Sequence, residues 1–298
     1  MTNGLFDNLP AKVRVRDMTL RDGLQSIAPV LPTALKLQIY EGLVAAGVSE
    51  LQVTSFVNPA RVPQLADAEA FWSLIAGKPE RRSVLVGNLR GFERAIKAGA
   101  SEVEAVVSLS ETYNQSNARR TTRESLDEIK VMAGQKKQGC NLTIALANCF
   151  HCVSEGWTPP GKVFDAIGEL SGIGIADISI CDTTGHATPD RVYRLSSQAI
   201  AQFPGTIFGL HLHDTRGRGL ANAMAGLHAG IRWFDVTLAG LGGSPFAPGM
   251  GGNLSLETFV EAMAEMGVHT GIDPSLGFDL GNRLRLDIEK LGPQIGRA

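Results

Sequence analysis

His211 and His213 stand one residue apart in the run Ile207-Phe-Gly-Leu-His-Leu-His-Asp214, a spacing with chemical meaning. Alternate residues of a strand face the same way. The pair is therefore predicted to project together from the end of an apolar strand, as two imidazole ligands of one metal ion would. A His-x-His run also occurs as plain core or loop structure, so its company decides. Near the N-terminus, Asp17-Met-Thr-Leu-Arg-Asp-Gly-Leu-Gln25 sets Asp22 beside Arg21. Downstream, Gly240-Leu-Gly-Gly-Ser-Pro-Phe-Ala-Pro-Gly-Met-Gly-Gly-Asn253 ends a glycine-rich stretch on an asparagine. One aspartate, two histidines and one asparagine would make an oxygen–nitrogen metal site.

Such a site needs a scaffold that brings these segments together, and a loose internal repeat supplies one. Ala45-Ala-Gly-Val-Ser-Glu-Leu-Gln-Val53 is echoed by Lys97-Ala-Gly-Ala-Ser-Glu-Val-Glu-Ala-Val-Val107. It returns as Gly172-Ile-Gly-Ile-Ala-Asp-Ile-Ser-Ile180 and His228-Ala-Gly-Ile-Arg-Trp-Phe-Asp-Val236. Each copy joins a helix-ending glycine to a short β-rich run. Eight runs are predicted as strands: residues 13–18, 50–54, 83–86, 103–107, 142–147, 177–180, 207–212 and 234–238. Helices fill the gaps. Residues 33–46 place Leu35, Ile39, Leu43 and Ala46 on one face, with Thr33 as N-cap. Thr121-Thr-Arg-Glu124 reads as a capping box opening a helix to about residue 138, and Pro189 starts another.

Eight strand–helix units with no linker predict an α/β fold, a single (β/α)8 TIM barrel over residues 10–290. Residues 1–9 and 291–298 are then short terminal extensions. A doubly wound sheet, which also alternates strands and helices, is the alternative. Active sites of barrels lie on the loops after the strands. Arg21 and Asp22 follow strand one, Ser55 strand two, Asn148 strand five, Asp182 strand six, and the two histidines strand seven. Polar residues thus gather at one end.

Composition narrows the function. With 298 residues and 44% hydrophobic content the chain can bury a large core, and its net charge of −2 offers no basic field for nucleic acid or an anionic membrane. The apolar stretches are strand-sized, too short for a membrane span. The N-terminus lacks the basic and apolar regions of a signal peptide. Cys140, Cys149, Cys152 and Cys181 are too few for a disulfide framework and read as reduced thiols, so a cytoplasmic setting is expected.

The motifs resemble those of the 3-hydroxy-3-methylglutaryl-CoA (HMG-CoA) lyase family, within a wider group of metal-dependent barrel lyases and synthases. The resemblance is carried by Arg21-Asp-Gly-Leu-Gln25, Thr54-Ser-Phe-Val57, Val62-Pro-Gln-Leu-Ala-Asp67, Cys181-Asp-Thr-Thr-Gly185, His211-Leu-His-Asp214, Gly240-Leu-Gly-Gly243 and Gly252-Asn-Leu254. Ser-Phe-Val followed by Val-Pro-Gln is the part most particular to acyl-CoA lyases. It implies a divalent cation, Mg²⁺ or Mn²⁺, held by Asp22, His211, His213 and Asn253. It also implies an acyl-CoA substrate, a homodimer, Arg21 beside the thioester carbonyl and Gln25 in the pocket. Ser55 and Asn148 are expected to bind substrate. Asp182 would orient substrate or a ligand imidazole, or else merely cap the next helix. Breaking a carbon–carbon bond beta to a thioester leaves an enolate whose oxygen needs a fixed positive charge, which Arg21 can supply. A condensing synthase or transferase, and a non-catalytic metal-binding barrel, are the other readings.

Two positions depart from that pattern. Gly242-Gly-Ser-Pro245 carries Ser244 where the family has a proton-handling cysteine, so Ser244 is a catalytic candidate of altered chemistry. Gln52 replaces a glutamate that usually pairs with the active-site arginine. Cys149-Phe-His-Cys152 has metal or redox spacing but no second pair to complete a zinc site. His151 or Cys152 could face the pocket in place of the missing thiol, and Arg119 and Arg120 could meet CoA phosphates at the barrel mouth.

Overall fold

The computed structural model describes residues 9–243 and 252–292. Eight parallel strands close on themselves: β1 (Arg14–Asp17), β2 (Glu50–Ser55), β3 (Arg81–Val86), β4 (Glu102–Ser108), β5 (Asn141–Ala147), β8 (Asp177–Asp182), β9 (Ile207–Leu212) and β10 (Trp233–Val236). The order around the barrel is β1-β10-β9-β8-β5-β4-β3-β2. A two-stranded hairpin, β6 (His151–Cys152) and β7 (Gly156–Trp157), decorates the loop after β5. Closure rules out the doubly wound alternative, and each predicted strand lies on an observed one.

The helices form where local chemistry stabilises their ends. Thr121 and Glu124 make the expected reciprocal capping box on α5 (Thr122–Gln135), and Pro189 opens α7 (Pro189–Gln202). Repeat glycines end helices in the left-handed region, Gly47 at φ 96° and Gly230 at φ 109°. One expectation fails locally. Thr33 is the first residue of α1 (Thr33–Ala45), not its N-cap, and its hydroxyl instead donates to Asp67 at 2.6 Å. The same carboxylate takes the buried Lys36 ammonium at 2.5 Å, so Asp67 gathers two donors that local helix logic could not assign.

Inward-facing residues set the barrel apart. TIM-barrel interiors are usually layers of branched aliphatic side chains, but here two layers are polar. At the N-terminal end of the barrel, Arg14 binds Glu50 at 2.8 Å and Arg81 binds Glu102 at 2.9 Å. Asn141 bridges Glu102 and Asp177, at 3.1 Å to each. Two residues further along the strands, Arg16 holds Asp235 through two bonds of 2.8 Å and Glu104 through a third of 2.8 Å. All three are buried, and Trp233 covers the guanidinium with its ring centroid 4.6 Å away. Asp235 stays charged because Arg16 and His211 outweigh the burial that would otherwise raise its pKa. Breaking one partner out of such a buried pair costs about 3–5 kcal/mol.

Gly209 on β9 leaves the space that Trp233 fills, since a Cβ there would come within 2.4 Å of the indole. Gly209→Ala is therefore expected to overpack the barrel and lower stability by about 1–3 kcal/mol. Urea denaturation checks this: the midpoint should fall with an unchanged slope, and an unshifted midpoint would show that the indole relocates freely.

Candidate metal centre and its cavity

The chain after β1 does not leave the barrel in an ordinary turn. Residues Thr19–Gly23 form one π-helical turn in which the N–H groups of Arg21, Asp22 and Gly23 all reach the Met18 carbonyl, at 3.2, 2.8 and 3.1 Å. This widened turn buries both Arg21 and Asp22 at the strand end. On β9, the period of two brings His211 and His213 together as predicted, their Nε2 atoms 3.2 Å apart. Asn253 arrives by backbone pairing: His213 and Asn253 form a β-bridge, and the Leu254 N–H donates to Leu212 at 2.9 Å.

Asp22, His211 and His213 each offer a donor atom within 4.8 Å of the others, and among the described residues they are the one such group. Asp22 Oδ2 lies 3.9 Å from His211 Nε2. The Asn253 amide nitrogen donates to Asp22 Oδ2 at 2.7 Å and to the Leu241 carbonyl at 2.9 Å. That fixes the amide and leaves Oδ1 buried with no hydrogen-bond partner among the described residues. A buried, unpaired carbonyl oxygen beside a carboxylate and two imidazoles is the donor set a hard divalent cation satisfies. Burial works to raise the Asp22 pKa, but Arg21, His211, His213 and the Asn253 amide outweigh it and hold the carboxylate ionised.

His211 is oriented by Asp235, whose Oδ2 lies 3.3 Å from Nδ1. With the carboxylate accepting at Nδ1, the lone pair of Nε2 faces the site. The sequence reading gave that orienting task to Asp182, which the structure corrects. Asp182 accepts the backbone N–H groups of His186 and Ala187, both at 3.1 Å, and so pins the turn before α7. Burial pushes its carboxyl up to about 7 against those two bonds.

A cavity of about 840 Å³ opens over the metal centre, and Arg21, Asp22, Gln25, Glu104, Asp235, His211 and His213 all line it. Arg21 donates through Nε to the Gln52 carbonyl oxygen and through Nη1 to Asp22, while Nη2 has only the Met18 sulfur at 4.0 Å among the contacts of described residues. Of the expected substrate-binding residues, Gln25 lines the cavity; Ser55 and Asn148 do not. Asn148 sits at φ 56° and ties its side chain to Ser108 at 2.8 Å and the His151 carbonyl at 3.1 Å. Ser244 falls within residues 244–251, outside the described residues.

His151 and Cys152 do not line the cavity either. His151 stacks on His186 at 4.2 Å, and Cys152 accepts a hydrogen bond from Ser110 at 3.0 Å. Burial pushes the Cys149 thiol up to about 12, so the Cys149–Cys152 pair has little thiolate character to offer a metal. Arg120 is held by Glu128, Gly87 and Ser125, and Arg119 ends α4 (Glu111–Ala118) in the left-handed region. The cations that do line the outer cavity are Arg61, Arg90 and Arg94. Sequence reasoning missed them, and also Arg16, Glu104 and Asp235. The available signal was a charge at alternate positions of otherwise apolar strands.

Comparison with known proteins fits this geometry. The sequence profile of the HMGL-like family matches residues 12–280. The chain belongs to the HMGL-like family. It is 36% identical to the (R)-citramalyl-CoA lyase of Chloroflexus aurantiacus, over 94% of this chain and 95% of that protein. It is 36% identical to the mitochondrial hydroxymethylglutaryl-CoA lyase of Arabidopsis thaliana over 92% of this chain, which spans 59% of that longer protein. Among solved structures, the HMG-CoA lyase of Acinetobacter baumannii in complex with coenzyme A and 3-methylmalate superposes with a TM-score of 0.89. Identity to it is 32%, covering 100% of this chain and 99% of that one.

If Asp22, His211, His213 and Asn253 hold the cation, calorimetric titration with Mn²⁺ should find one site in this HMGL-like chain. His213→Ala and Asn253→Ala should each weaken it about tenfold or more with the fold intact by circular dichroism. Equal affinity in all three proteins would remove these residues from the metal centre.

Proposed function

We propose that this chain is a divalent-metal-dependent carbon–carbon lyase that cleaves a branched 3-hydroxy-acyl-CoA of the HMG-CoA or citramalyl-CoA kind by retro-Claisen or retro-aldol chemistry. The observation that carries the reading is the placement of Arg21 against the metal centre at the floor of one cavity. Likeness to two acyl-CoA lyases over nearly the whole chain favours cleavage over condensation or a non-catalytic role. The cation belongs on Asp22, His211, His213 and Asn253, and Mg²⁺ or Mn²⁺ suits these hard donors. Lewis-acid polarisation of substrate oxygens is the chemistry a bound cation supplies there.

The chain's own residues do the rest. Arg21 presents Nη2 to the cavity with its other donors already engaged, so its guanidinium is fixed before substrate arrives. A preorganised donor of this kind stabilises the enolate oxygen that forms when the carbon–carbon bond breaks. Gln25 lines the same floor and offers an amide to substrate. At the rim, Arg61 and Arg90 are exposed and suit the phosphates of a CoA moiety. Four free cysteines support a reducing, cytoplasmic setting, and the family resemblance supports a homodimer. Among the described residues no helix is long and apolar enough to cross a membrane.

A panel of branched 3-hydroxy-acyl-CoA thioesters, incubated with Mg²⁺ or Mn²⁺, tests the proposal by following both the thioester and the keto product. Arg21→Ala should lower kcat on the best substrate about a hundredfold or more while Mn²⁺ still binds. Near-normal turnover by that variant would mean that another group stabilises the enolate.

A further inference from the structure

Glu104 lines the cavity from β4, yet the chemistry above gives it no task. It is fully buried, and both oxygens are engaged: Oε1 accepts from Arg16 at 2.8 Å, and Oε2 accepts from the Gln52 amide nitrogen at 2.5 Å. Arg16 already has a bidentate partner in Asp235, so neutralising it does not by itself call for a second carboxylate. The more telling bond is the one to Gln52. An ionised carboxylate can only accept hydrogen bonds. It therefore obliges Gln52 to point its NH₂ group toward β4 and its carbonyl oxygen toward Arg21, where it takes the Nε–H.

We propose that Glu104, acting through the Gln52 amide, is the positioning residue that aims the Arg21 guanidinium into the cavity. The inference rests on the lyase reading, in which Arg21 is the group that must be aimed. The negative charge that directs Arg21 then sits one side chain away from it, on a neighbouring face of the barrel. The guanidinium stays in a defined pose without a carboxylate at position 52. With glutamine at 104, the Gln52 amide is free to turn over and present its NH₂ to Arg21, donor against donor. With glutamate at both 52 and 104, two carboxylates are forced together. Exchanging the two residues removes both conflicts: a glutamate at 52 accepts from Arg21, and a glutamine at 104 donates to it while still accepting from Arg16.

The test is a cycle of Glu104→Gln, Gln52→Glu and the double exchange, in the full chain with Mn²⁺. Each single change should lower kcat thirtyfold or more, with KM and Mn²⁺ affinity within threefold of wild type. The double exchange should return kcat to within threefold. Singles that do not fold beside a double that folds and turns over would support the pairing equally. A Glu104→Gln protein with near-wild-type kcat, or a double exchange no better than the worse single, would overturn it. If wild type binds Mn²⁺ but cleaves no acyl-CoA, the lyase reading fails on its own. Urea midpoints of the four proteins then decide the pairing: recovery in the double supports it, and additivity overturns it.

Discussion

Arg16 is the hinge of this structure. It sits in the barrel interior between Asp235 on β10 and Glu104 on β4, and each of those carboxylates continues toward a different catalytic element. Through Asp235 the chain of bonds runs to His211 and so to the metal centre. Through Glu104 and Gln52 it runs to Arg21, whose Nη1 returns to Asp22. The circuit is closed, every member is buried, and each donor meets an acceptor. In a low-dielectric interior such a network holds together only when fully satisfied, which makes its geometry nearly unique. Electrostatics, rather than aliphatic packing, thus sets where the reactive groups stand.

That arrangement explains what could be read from the sequence. The strands, the barrel and the His211–His213 pair were legible because each depends on local periodicity. The capping box of α5 and the left-handed Gly47 and Gly230 were equally local. Asn253 was recognisable through its motif, although its placement depends on a β-bridge to His213. The polar circuit was not legible. Arg16 and Asp235 are 219 residues apart, and Gln52 and Glu104 are 52 apart. Nothing in a strand's own sequence states which neighbour the closed barrel will bring beside it, or in which register.

The errors follow the same division. Asp182 stands in a conspicuous Cys181-Asp-Thr-Thr-Gly185 run, but its nearest donors are the backbone N–H groups of its own turn, and those occupy it. Thr33 stands where an N-cap would, but a carboxylate 34 residues away takes its hydroxyl. Asn148 adopts positive φ at the corner after β5 and spends its amide holding that corner. In each case the residue type was suggestive, and a contact outside the motif decided its role.

The ionic belt at the N-terminal end of the barrel has a consequence for traffic. Arg14, Glu50, Arg81, Glu102, Asn141 and Asp177 plug that end, leaving a void of only about 20 Å³ beside them, too small for anything beyond a water molecule. The reaction chamber is therefore blind. A molecule split inside it must send both fragments out through the single doorway by which it entered, and the piece lodged deeper has to wait for the piece nearer the door. Departure acquires a fixed sequence from the architecture alone, and the fragment that leaves last is the one that governs how soon the next molecule is admitted.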